Sequence, residues 1–385
     1  MKRIAIIYPY FALYRLPVIR ALAERGEELG YAFDFFSDTQ SNVSSLKLID
    51  PNLLENRNKC GFNWNRLRNI WFGKLALWQR GVLRIALSSN YDALVFLGDR
   101  RYVTVWLGSI IARITGKKVF FWTHGYKAPY KGLSRPVVKL FHKLPNGLLL
   151  YGNRAVTLAQ EEGIPPERLF VIYNSLDFEK QQDYLKQVKD DQRLKIRDLF
   201  PNPTVPLLVF CGRLVKDKRP DLLIKALGRL NERGKPYNLI FIGSGPILND
   251  LRVQAEEEGV AKQVRFTGAC YDEKELATWF SSTDLFVCPG DTGLGCIHAM
   301  GYGLPVITHS DMNSQGPEVE AIIPGKTGAM FDTDDPESLA TTIEEWTAPY
   351  QDTSQVHDTC IERIRSKYTP ANQVSCIANA LDSFM

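Results

Sequence analysis

The feature that most constrains the fold of this chain is a regular alternation of short apolar runs and amphipathic segments in its second half. The runs are rich in Val, Ile, Leu and Phe, as strands buried on both faces require. They occupy 206–211, 238–243, 264–268, 285–289, 305–309 and 328–332, with helical patterns near 220–233, 247–259, 273–281, 294–302 and 317–322. The alternation predicts a parallel sheet covered by helices, a doubly wound Rossmann-like α/β domain.

The first half repeats the alternation less regularly, so the 385 residues suit two such domains. Its candidate strands are 3–10, 31–37, 93–98, 118–125, 147–152 and 168–174, with a helix from about Tyr14 to Glu28 and a long polar loop from Asp38 to Asn65. We predict a first domain at 1–180, a second at 181–368, and a helix at 369–385 that returns to the first. Ligands bind beyond the carboxyl ends of parallel strands, so the cleft between the domains is the expected site.

Charge is distributed unevenly between the two halves. Residues 1–180 hold 26 Lys and Arg against 14 Asp and Glu, whereas the remainder holds 21 against 29. Within the basic half, 66–80 and 127–145 interleave cations with aromatic and aliphatic residues. Two interpretations remain open: contact with an anionic membrane surface at the inner face of the plasma membrane, or amphipathic helices packed on a sheet. Nucleic acid is not an expected partner, since no recognised binding motif accompanies the charge.

Composition also limits the chemistry that the chain can perform. Seven cysteines without a CxxC pair indicate reduced thiols in a cytoplasmic protein. Cys288, Cys296, His298 and His309 follow no zinc spacing, so we expect no metal and no cofactor. No apolar run approaches the roughly 18–20 residues of a membrane-spanning helix.

Two cations mark the first strand-to-helix turn of the second domain. Arg213 directly follows the strand at 206–211, and Lys218 lies just before the next helix. The N-terminus of a helix offers free amides and a partial positive charge. An arginine fork, a mobile lysine and these amides together suit a diphosphate group, although a solvated surface pair would show the same sequence.

Glycine-rich turns follow the later strands of the same domain. The stretch IGSGP contributes Gly243 and Gly245, whose lack of a side chain lets backbone approach a ligand. The stretch CPGDTGLGC contributes three further glycines, which are expected to present amides to phosphate or sugar hydroxyls. Glu318, in a Pro-led helical turn, is a candidate acceptor for sugar hydroxyls.

These motifs together resemble those of retaining glycosyltransferases of family 4, which have the GT-B fold. The resemblance covers about residues 205–332 in the correct order, and the motifs are specific together but weak singly. It rests on Gly212-Arg213-Leu214 followed by Lys218, on Gly243, Gly245 and Pro246, on the strand ends Phe266–Gly268 and TDLFVCPG, on HAMGYGLPVI, and on the Pro-Glu-Val and Gly-Lys-Thr-Gly turns. The resemblance implies transfer of a sugar from a nucleotide diphosphate sugar with retention of configuration.

The chain departs from the family at a pair of glutamates. The family has two, eight residues apart, beside the glycine-rich helix; here the second position is His298 and the first is Gly290, next to Asp291. A neutral histidine can still accept a hydrogen bond from a hydroxyl of the nucleotide ribose. The variant resembles a subgroup of capsule, O-antigen and exopolysaccharide transferases.

The resemblance also assigns residues to the site. By position it makes His124, Arg213, Lys218 and Glu318 candidate catalytic residues. The candidate donor-binding residues are Gly212, Gly243, Gly245, Asp291, Gly293, Leu294, Gly295 and His298. On the acceptor side we place Tyr14, Arg15, Asp99, Arg100 and Asn174.

The expected partners are a nucleotide sugar donor and a saccharide or lipid-linked saccharide acceptor, in surface polysaccharide biosynthesis. Two alternatives stay open. A nucleotide-sugar 2-epimerase shares the fold, and a catalytically silent sugar-nucleotide-binding protein would explain the missing glutamates. An NAD-dependent dehydrogenase is disfavoured because the first strand and turn contain no glycine.

Overall fold

The computed structural model describes residues 1–41, 47–129, 134–348 and 353–385. The chain divides into two compact units. The first comprises Met1–Leu176 and Thr369–Met385, and the second comprises Asp177–Tyr368. No helix within the described residues combines the length and apolarity needed to cross a bilayer.

The first unit is built on a seven-stranded parallel sheet. Its strands are β1 (Lys2–Tyr10), β2 (Tyr31–Asp38), β3 (Asn63–Arg66), β6 (Ala93–Leu97), β7 (Lys118–Thr123), β8 (Gly147–Leu150) and β9 (Leu169–Val171), while β4 (Arg68–Phe72) and β5 (Ala76–Arg80) form an antiparallel hairpin. Its helices are α1 (Leu16–Arg25), α2 (Pro51–Glu55), α3 (Arg57–Cys60), α4 (Val82–Leu87), α5 (Val103–Ile114), α6 (Ser134–Lys143), α7 (Asn153–Glu161) and α16 (Pro370–Asp382).

The second unit is built on a six-stranded parallel sheet. Its strands are β10 (Leu207–Cys211), β11 (Asn238–Ile242), β12 (Val264–Gly268), β13 (Leu285–Val287), β14 (Val306–His309) and β15 (Gly328–Phe331). Its helices are α8 (Phe178–Gln187), α9 (Asp190–Arg197), α10 (Pro220–Glu232), α11 (Leu248–Glu257), α12 (Glu273–Ser281), α13 (Leu294–Gly301), α14 (Pro336–Trp346) and α15 (Thr353–Lys367).

Each sheet has one point at which the strand order reverses. The order is β3-β2-β1-β6-β7-β8-β9 in the first unit and β12-β11-β10-β13-β14-β15 in the second. The loops that follow the two strands at the reversal point leave the sheet in opposite directions, which opens a crevice between these loops. The reversals fall between β1 and β6 and between β10 and β13, so the carboxyl ends of these strands are the natural ligand sites.

The structure confirms the predicted fold class of two doubly wound parallel sheets. Strands buried on both faces appear where continuous apolar runs predicted them; β11, for example, is buried along its whole length. The chain leaves the first unit at Leu176, and α16 packs on α1 and β9 of that unit.

Three local details differ from the sequence-based expectations. Of the two interpretations of 66–80, the amphipathic helix is wrong, because these residues form the β4–β5 hairpin, in which Arg68 pairs with Arg80. The stretch from Asp38 to Asn65 is not one loop, because α2, α3 and the start of β3 lie within it. The first helix begins at Leu16, after a 3-10 turn at Leu13–Arg15, rather than at Tyr14. Of the basic segment 127–145, residues 130–133 lie outside the described residues.

One buried histidine makes the first unit sensitive to acid. His142 of α6 is 4% exposed and lies against Tyr126, with ring centroids 4.6 Å apart. Burial, assisted by the charge of Arg100, lowers the pKa of His142 to about 4. The unfolded chain takes up this proton first, from about pH 6.5 downward. Stability is therefore complete above pH 6.5 and is lost as the pH falls toward 4.

We predict that His142→Phe reduces the acid sensitivity of the first unit. The pKa difference corresponds to about 3 kcal/mol of stability lost between pH 6.5 and 4 in the native protein. Urea unfolding measured over this pH range should show a shallower fall for the variant. His357→Phe, at a histidine whose side chain is 43% exposed, is the control and should keep the native slope. Equal slopes in all three proteins would contradict the assignment.

Candidate active site

The predicted diphosphate turn lies at the strand reversal of the second unit. Arg213 follows β10 after Gly212, and its side chain is exposed. Lys218 ends a 3-10 turn at Lys216–Lys218, two residues before α10 begins at Pro220. Both cations therefore stand at the carboxyl end of β10, where the crevice beside β13 begins.

Backbone contacts bind the Lys218 turn to the glycine-rich loop after β13. The amide of Gly290 donates to the carbonyl of Lys218 at 2.9 Å. The Lys218 ammonium donates in turn to the backbone carbonyl of Asp291. A Cβ on Gly293 would lie 3.8 Å from Nζ of Lys218. The fold thus brings together two motifs that are more than seventy residues apart in the sequence.

A strained residue fixes the end of this turn. Arg219 has a φ of 49°, a left-handed conformation that costs a non-glycine residue about 1 kcal/mol or more. Its guanidinium pairs with Asp221 at 3.1 Å and also with Asp334. These ion pairs offset the strain and hold Lys218 in place. The acidic stretch at 332–335 thereby has a structural role.

The Gly-x-Gly-Pro turn is pressed against the Arg213 segment. A Cβ on Gly243 would lie 1.9 Å from the carbonyl oxygen of Gly212, and one on Gly245 would lie 2.1 Å from that of Leu214. No other residue fits at these distances. The glycines therefore serve the close approach of two backbone segments, which positions Arg213 beside the second turn.

The glycine amides after β13 are bonded within their own loop. The amides of Gly290 and Gly295 donate to backbone carbonyls, those of Lys218 and Thr292. The amide of Gly293 donates to Oδ1 of Asp291 at 3.0 Å. These bonds set the shape of the loop, and contact of the three amides with phosphate or sugar stays a prediction.

Asp291 is part of this internal bonding. Its Oδ1 also accepts from the amide of Gly316 at 2.8 Å. The carboxylate thus joins the loop after β13 to the turn that carries Glu318, which is 4% exposed. A Cβ on Gly316 would lie 2.8 Å from a Glu318 carboxylate oxygen and 3.1 Å from Oδ1 of Asp291, so both acidic side chains lie close to this glycine.

Sequence reasoning missed Gln315, which organises the same loop. Gln315 is 7% exposed; its Oε1 accepts from the amide of Thr292 at 3.1 Å, and its Nε2 donates to Oγ1 of Thr308 at 2.7 Å. A buried amide with both ends bonded fixes the loop relative to β14. No sequence signal distinguishes this glutamine from a surface one.

His298, which the family resemblance places where a glutamate is expected, is held by a carboxylate from another helix. Nε2 of His298 is 2.8 Å from Oε1 of Glu273, which also accepts from the Tyr302 hydroxyl at 2.6 Å. Burial raises the pKa of Glu273, but the bonds from His298 and Tyr302 outweigh it and hold that pKa at about 2. An ionised carboxylate only accepts, so Nε2 of His298 donates to it.

The first-unit candidates occupy different environments. His124 follows β7 and is exposed, with its ring centroid 4.8 Å from that of Tyr151. Asp99 accepts two hydrogen bonds from Nε of Arg101, at 3.0 and 3.1 Å. Asp99 is therefore paired with its neighbour, and Arg100 between them is exposed.

The remaining acceptor-side candidates are buried or half-buried in the first unit. Asn174 is 6% exposed and its side-chain oxygen accepts from the amide of Ser175 at 3.2 Å. Arg15 is 7% exposed, and Tyr14 beside it is half-buried. Among the residues that the structure describes, no three His, Cys, Asp or Glu side chains are grouped in a way that would hold a metal ion.

The two parallel α/β units, with basic and glycine-rich turns at a strand reversal, have the GT-B fold. Residues 191–355, less than half of the chain, match the family model described as Glycosyl transferases group 1. This part of the second unit is similar to glycosyl transferases of group 1.

Individual proteins resemble the chain over different lengths. A GDP-mannose-dependent alpha-(1-6)-phosphatidylinositol monomannoside mannosyltransferase from Mycolicibacterium smegmatis is 32% identical over 163 residues, which are 40% of this chain and 41% of that protein. The match thus spans about two fifths of the relative. The Anabaena protein Alr3699/HepE, solved in complex with UDP, is 17% identical with a TM-score of 0.74 over 100% of both chains.

The same fold also occurs in another class of enzyme. A putative UDP-N-acetylglucosamine 2-epimerase from Listeria monocytogenes is 13% identical with a TM-score of 0.64, and the similarity covers 100% of this chain and 96% of that one. At such low identity these structures establish the fold alone.

We predict that Gly290→Ala separates the Lys218 turn from the glycine-rich loop. The new Cβ would lie 2.2 Å from the Asp217 carbonyl oxygen and 2.6 Å from Cα of Lys218, and backbone cannot yield as a flexible side chain does. The variant should melt at a lower temperature and lose stabilisation by nucleoside diphosphates.

Gly228→Ala is the matched control for this substitution. It lies within α10, where alanine is favoured, and its Cβ meets only the carboxylate end of Glu258 at 2.7 Å. This control should fold and bind as the native protein does. If Gly290→Ala melts at the native temperature and binds nucleoside diphosphates as the native protein does, the close contact between the Lys218 turn and the glycine-rich loop is not needed for either property.

Proposed function

We propose that this protein is a glycosyltransferase that moves a sugar from a nucleotide diphosphate sugar to a saccharide or lipid-linked saccharide. One observation carries the proposal. Arg213 and Lys218 both follow the carboxyl end of β10, and within the described ranges neither forms an ion pair with a carboxylate. Two cations in one turn without a counter-charge, beside backbone that only glycine permits, suit a diphosphate.

The chemistry assigned to these cations is stabilisation of the leaving group. As the bond between the anomeric carbon and the β-phosphate oxygen breaks, its electron pair stays on the phosphate. Arg213 and Lys218 offset this developing charge electrostatically. Among the residues that the structure describes, the Lys218 ammonium is bonded to a neutral backbone carbonyl and pairs with no carboxylate, so its full charge is available to the phosphate.

The proposal has the sugar transferred with retention, as the family resemblance implies. The acceptor hydroxyl forms its bond to the anomeric carbon on the face that the diphosphate leaves, and the released phosphate oxygen takes the hydroxyl proton. His124 and Glu318 are proposed to orient the donor sugar, and Nδ1 of His298 to accept from a hydroxyl of the ribose. These roles need no side chain as a general base.

Product analysis distinguishes a transferase from the two alternatives, a nucleotide-sugar 2-epimerase and a silent sugar-nucleotide-binding protein. The epimerase shares the fold, as the Listeria structure illustrates. An epimerase would convert a nucleotide sugar without an acceptor, and a silent binding protein would bind it without turnover. A transferase releases the nucleoside diphosphate only as the acceptor is glycosylated or water takes its place.

We propose further that the first unit associates with an anionic membrane surface. Exposed aliphatic side chains recur along two helices that are joined by a contact of Trp106 with Phe141, with ring centroids 4.9 Å apart. They are Val103, Leu107, Ile110 and Ile114 on α5 and Val137 and Leu140 on α6. Apolar side chains on a unit rich in Lys and Arg suit an anionic bilayer, which would bring a lipid-linked acceptor to the site.

We predict that a nucleoside diphosphate raises the melting temperature of the native protein and that Arg213→Ala abolishes this shift. The native protein should be screened with UDP, GDP, ADP and their common sugar conjugates. Loss of a charged contact to the leaving group should reduce turnover by about 100-fold or more. Lys216→Ala removes another exposed cation of the same turn and is the control. Near-native turnover of Arg213→Ala would refute the diphosphate assignment.

We predict that the protein sediments with phosphatidylglycerol vesicles at low salt and is released as salt is raised. The double variant Ile110→Glu, Leu140→Glu should stay in the supernatant, because it places negative charge on the apolar face. Leu194→Glu is the control, since Leu194 is 60% exposed but belongs to the second unit. A native protein that remains in the supernatant at low salt would exclude membrane association.

A further inference from the structure

A buried arginine in the first unit is surrounded by aromatic rings. Arg15 lies in the 3-10 turn between β1 and α1 and is 7% exposed. Its guanidinium carbon is 5.1 to 5.6 Å from the ring centroids of four aromatic residues, which we call the Arg15 cage. These residues are Tyr8, Tyr14, Trp122 and Tyr151.

The positive charge in the Arg15 cage has no negative partner within the described part of the chain. Among the described residues, no carboxylate forms an ion pair with Arg15. Burying an unpaired charge is strongly unfavourable, so such a residue is expected to have a function that needs it.

The tyrosines do not supply the missing charge. Burial raises the pKa of Tyr151 to about 12, although the nearby Arg15 charge acts in the opposite direction. Burial likewise raises the pKa of Tyr8 well above its ordinary value. Both phenols are therefore neutral at physiological pH, and the cage holds a net positive charge.

Two hydrogen-bond donors in the cage are also unsatisfied. One terminal nitrogen of the guanidinium, Nη2, donates to the Tyr151 hydroxyl. The other, Nη1, and the indole Nε1 of Trp122 are buried without a hydrogen-bond partner among the described residues. Cation–π contacts would account for the position of the guanidinium, but they leave these two N–H groups unpaired. A bound anion would satisfy both donors and the charge.

The Arg15 cage occupies the ligand-binding edge of its sheet. Tyr8 comes from β1 and Trp122 from β7, while Arg15 immediately precedes α1. The first turn of α1 contains no acidic residue, so the positive end of the helix is not neutralised there. The strand order reverses between β1 and β6, and the exposed ring of His124 contacts Tyr151 of the cage. The cage is therefore next to a residue already proposed to contact sugar.

We propose that Arg15 and the indole N–H of Trp122 form a subsite for a compact anion, a carboxylate or a phosphate, carried by the acceptor saccharide. The identification with the acceptor rests on the proposed transferase function, in which Arg213 and Lys218 of the second unit hold the diphosphate of the donor. An acceptor that contains a uronic acid or a sugar phosphate would supply the anion.

The test observes the cage directly in the full-length protein. Tryptophan indoles labelled with ¹⁵N are followed by NMR, and Trp122→Phe identifies the Trp122 signal. The probes are glucuronate, glucose 1-phosphate and, as the neutral match, glucose. We expect a saturable shift of the Trp122 signal with one or both anions and none with glucose. A shift with only one of them distinguishes a carboxylate from a phosphate as the ligand group.

The substitution Arg15→Met removes the charge and keeps much of the side-chain volume. It should weaken binding of the anion about tenfold or more, because a charge-assisted hydrogen bond is lost. Its melting temperature should equal or exceed that of the native protein, because an unpaired buried charge has gone. Arg20→Met, within α1, removes hydrogen bonds to the backbone at 59–60 and should leave anion binding unchanged.

The proposal is overturned if neither anion shifts the Trp122 signal, or if Arg15→Met binds the anion as tightly as the native protein. If Arg15→Met does not fold, Arg15→Lys keeps the charge but loses the planar fork, and native affinity in that variant would equally contradict the proposal. A melting shift with a nucleoside diphosphate but no Trp122 response refutes the anion subsite and leaves the transferase proposal standing. A Trp122 response without a melting shift from any nucleoside diphosphate refutes donor binding and leaves the anion subsite standing.

Discussion

The burial of parallel strands on both faces is the constraint on which the rest of this structure depends. Helices cover both sides of each sheet, so side chains within the strands are committed to the core. Polar and charged groups that must meet a ligand are left to the loops beyond the carboxyl ends. The reversal of strand order then decides which loops diverge, and in the second unit it selects those after β10 and β13. The positions of Arg213 and Gly290 follow from this topology.

Much of this architecture could be predicted because its signals are local. A strand buried on both faces is a continuous apolar run, and each such run in the second half became a strand. The β4–β5 hairpin escaped prediction because its cations and aromatic residues mimic an amphipathic helix, and its burial alternates along Arg68–Phe72 instead. A pattern of mixed cations and rings thus does not fix the secondary structure of the segment that carries it.

Within the site, residues that form local motifs could be predicted from the sequence, whereas contacts between remote residues could not. Arg213 and Lys218 are five residues apart, and the glycines form short motifs, so local spacing revealed them. Their partners are remote: the Lys218 ammonium meets the carbonyl of Asp291. Bonds of this kind also decide that the loop amides are consumed internally, which no spacing indicates. The isolation of the Arg15 charge likewise depends on which carboxylates the fold keeps away from it.

The contact between His298 and Glu273 bears on the glutamate that the family resemblance predicts at position 298. A glutamate at position 298 would accept hydrogen bonds through either oxygen and carry a negative charge. Here the carboxylate belongs to Glu273 of α12, which accepts from Nε2 of His298 and thereby fixes the orientation of the imidazole. The Tyr302 hydroxyl binds the same oxygen of Glu273 and limits its movement. In the proposed ribose contact of His298, replacing Glu273 should therefore alter the orientation of the ribose rather than the affinity for the diphosphate.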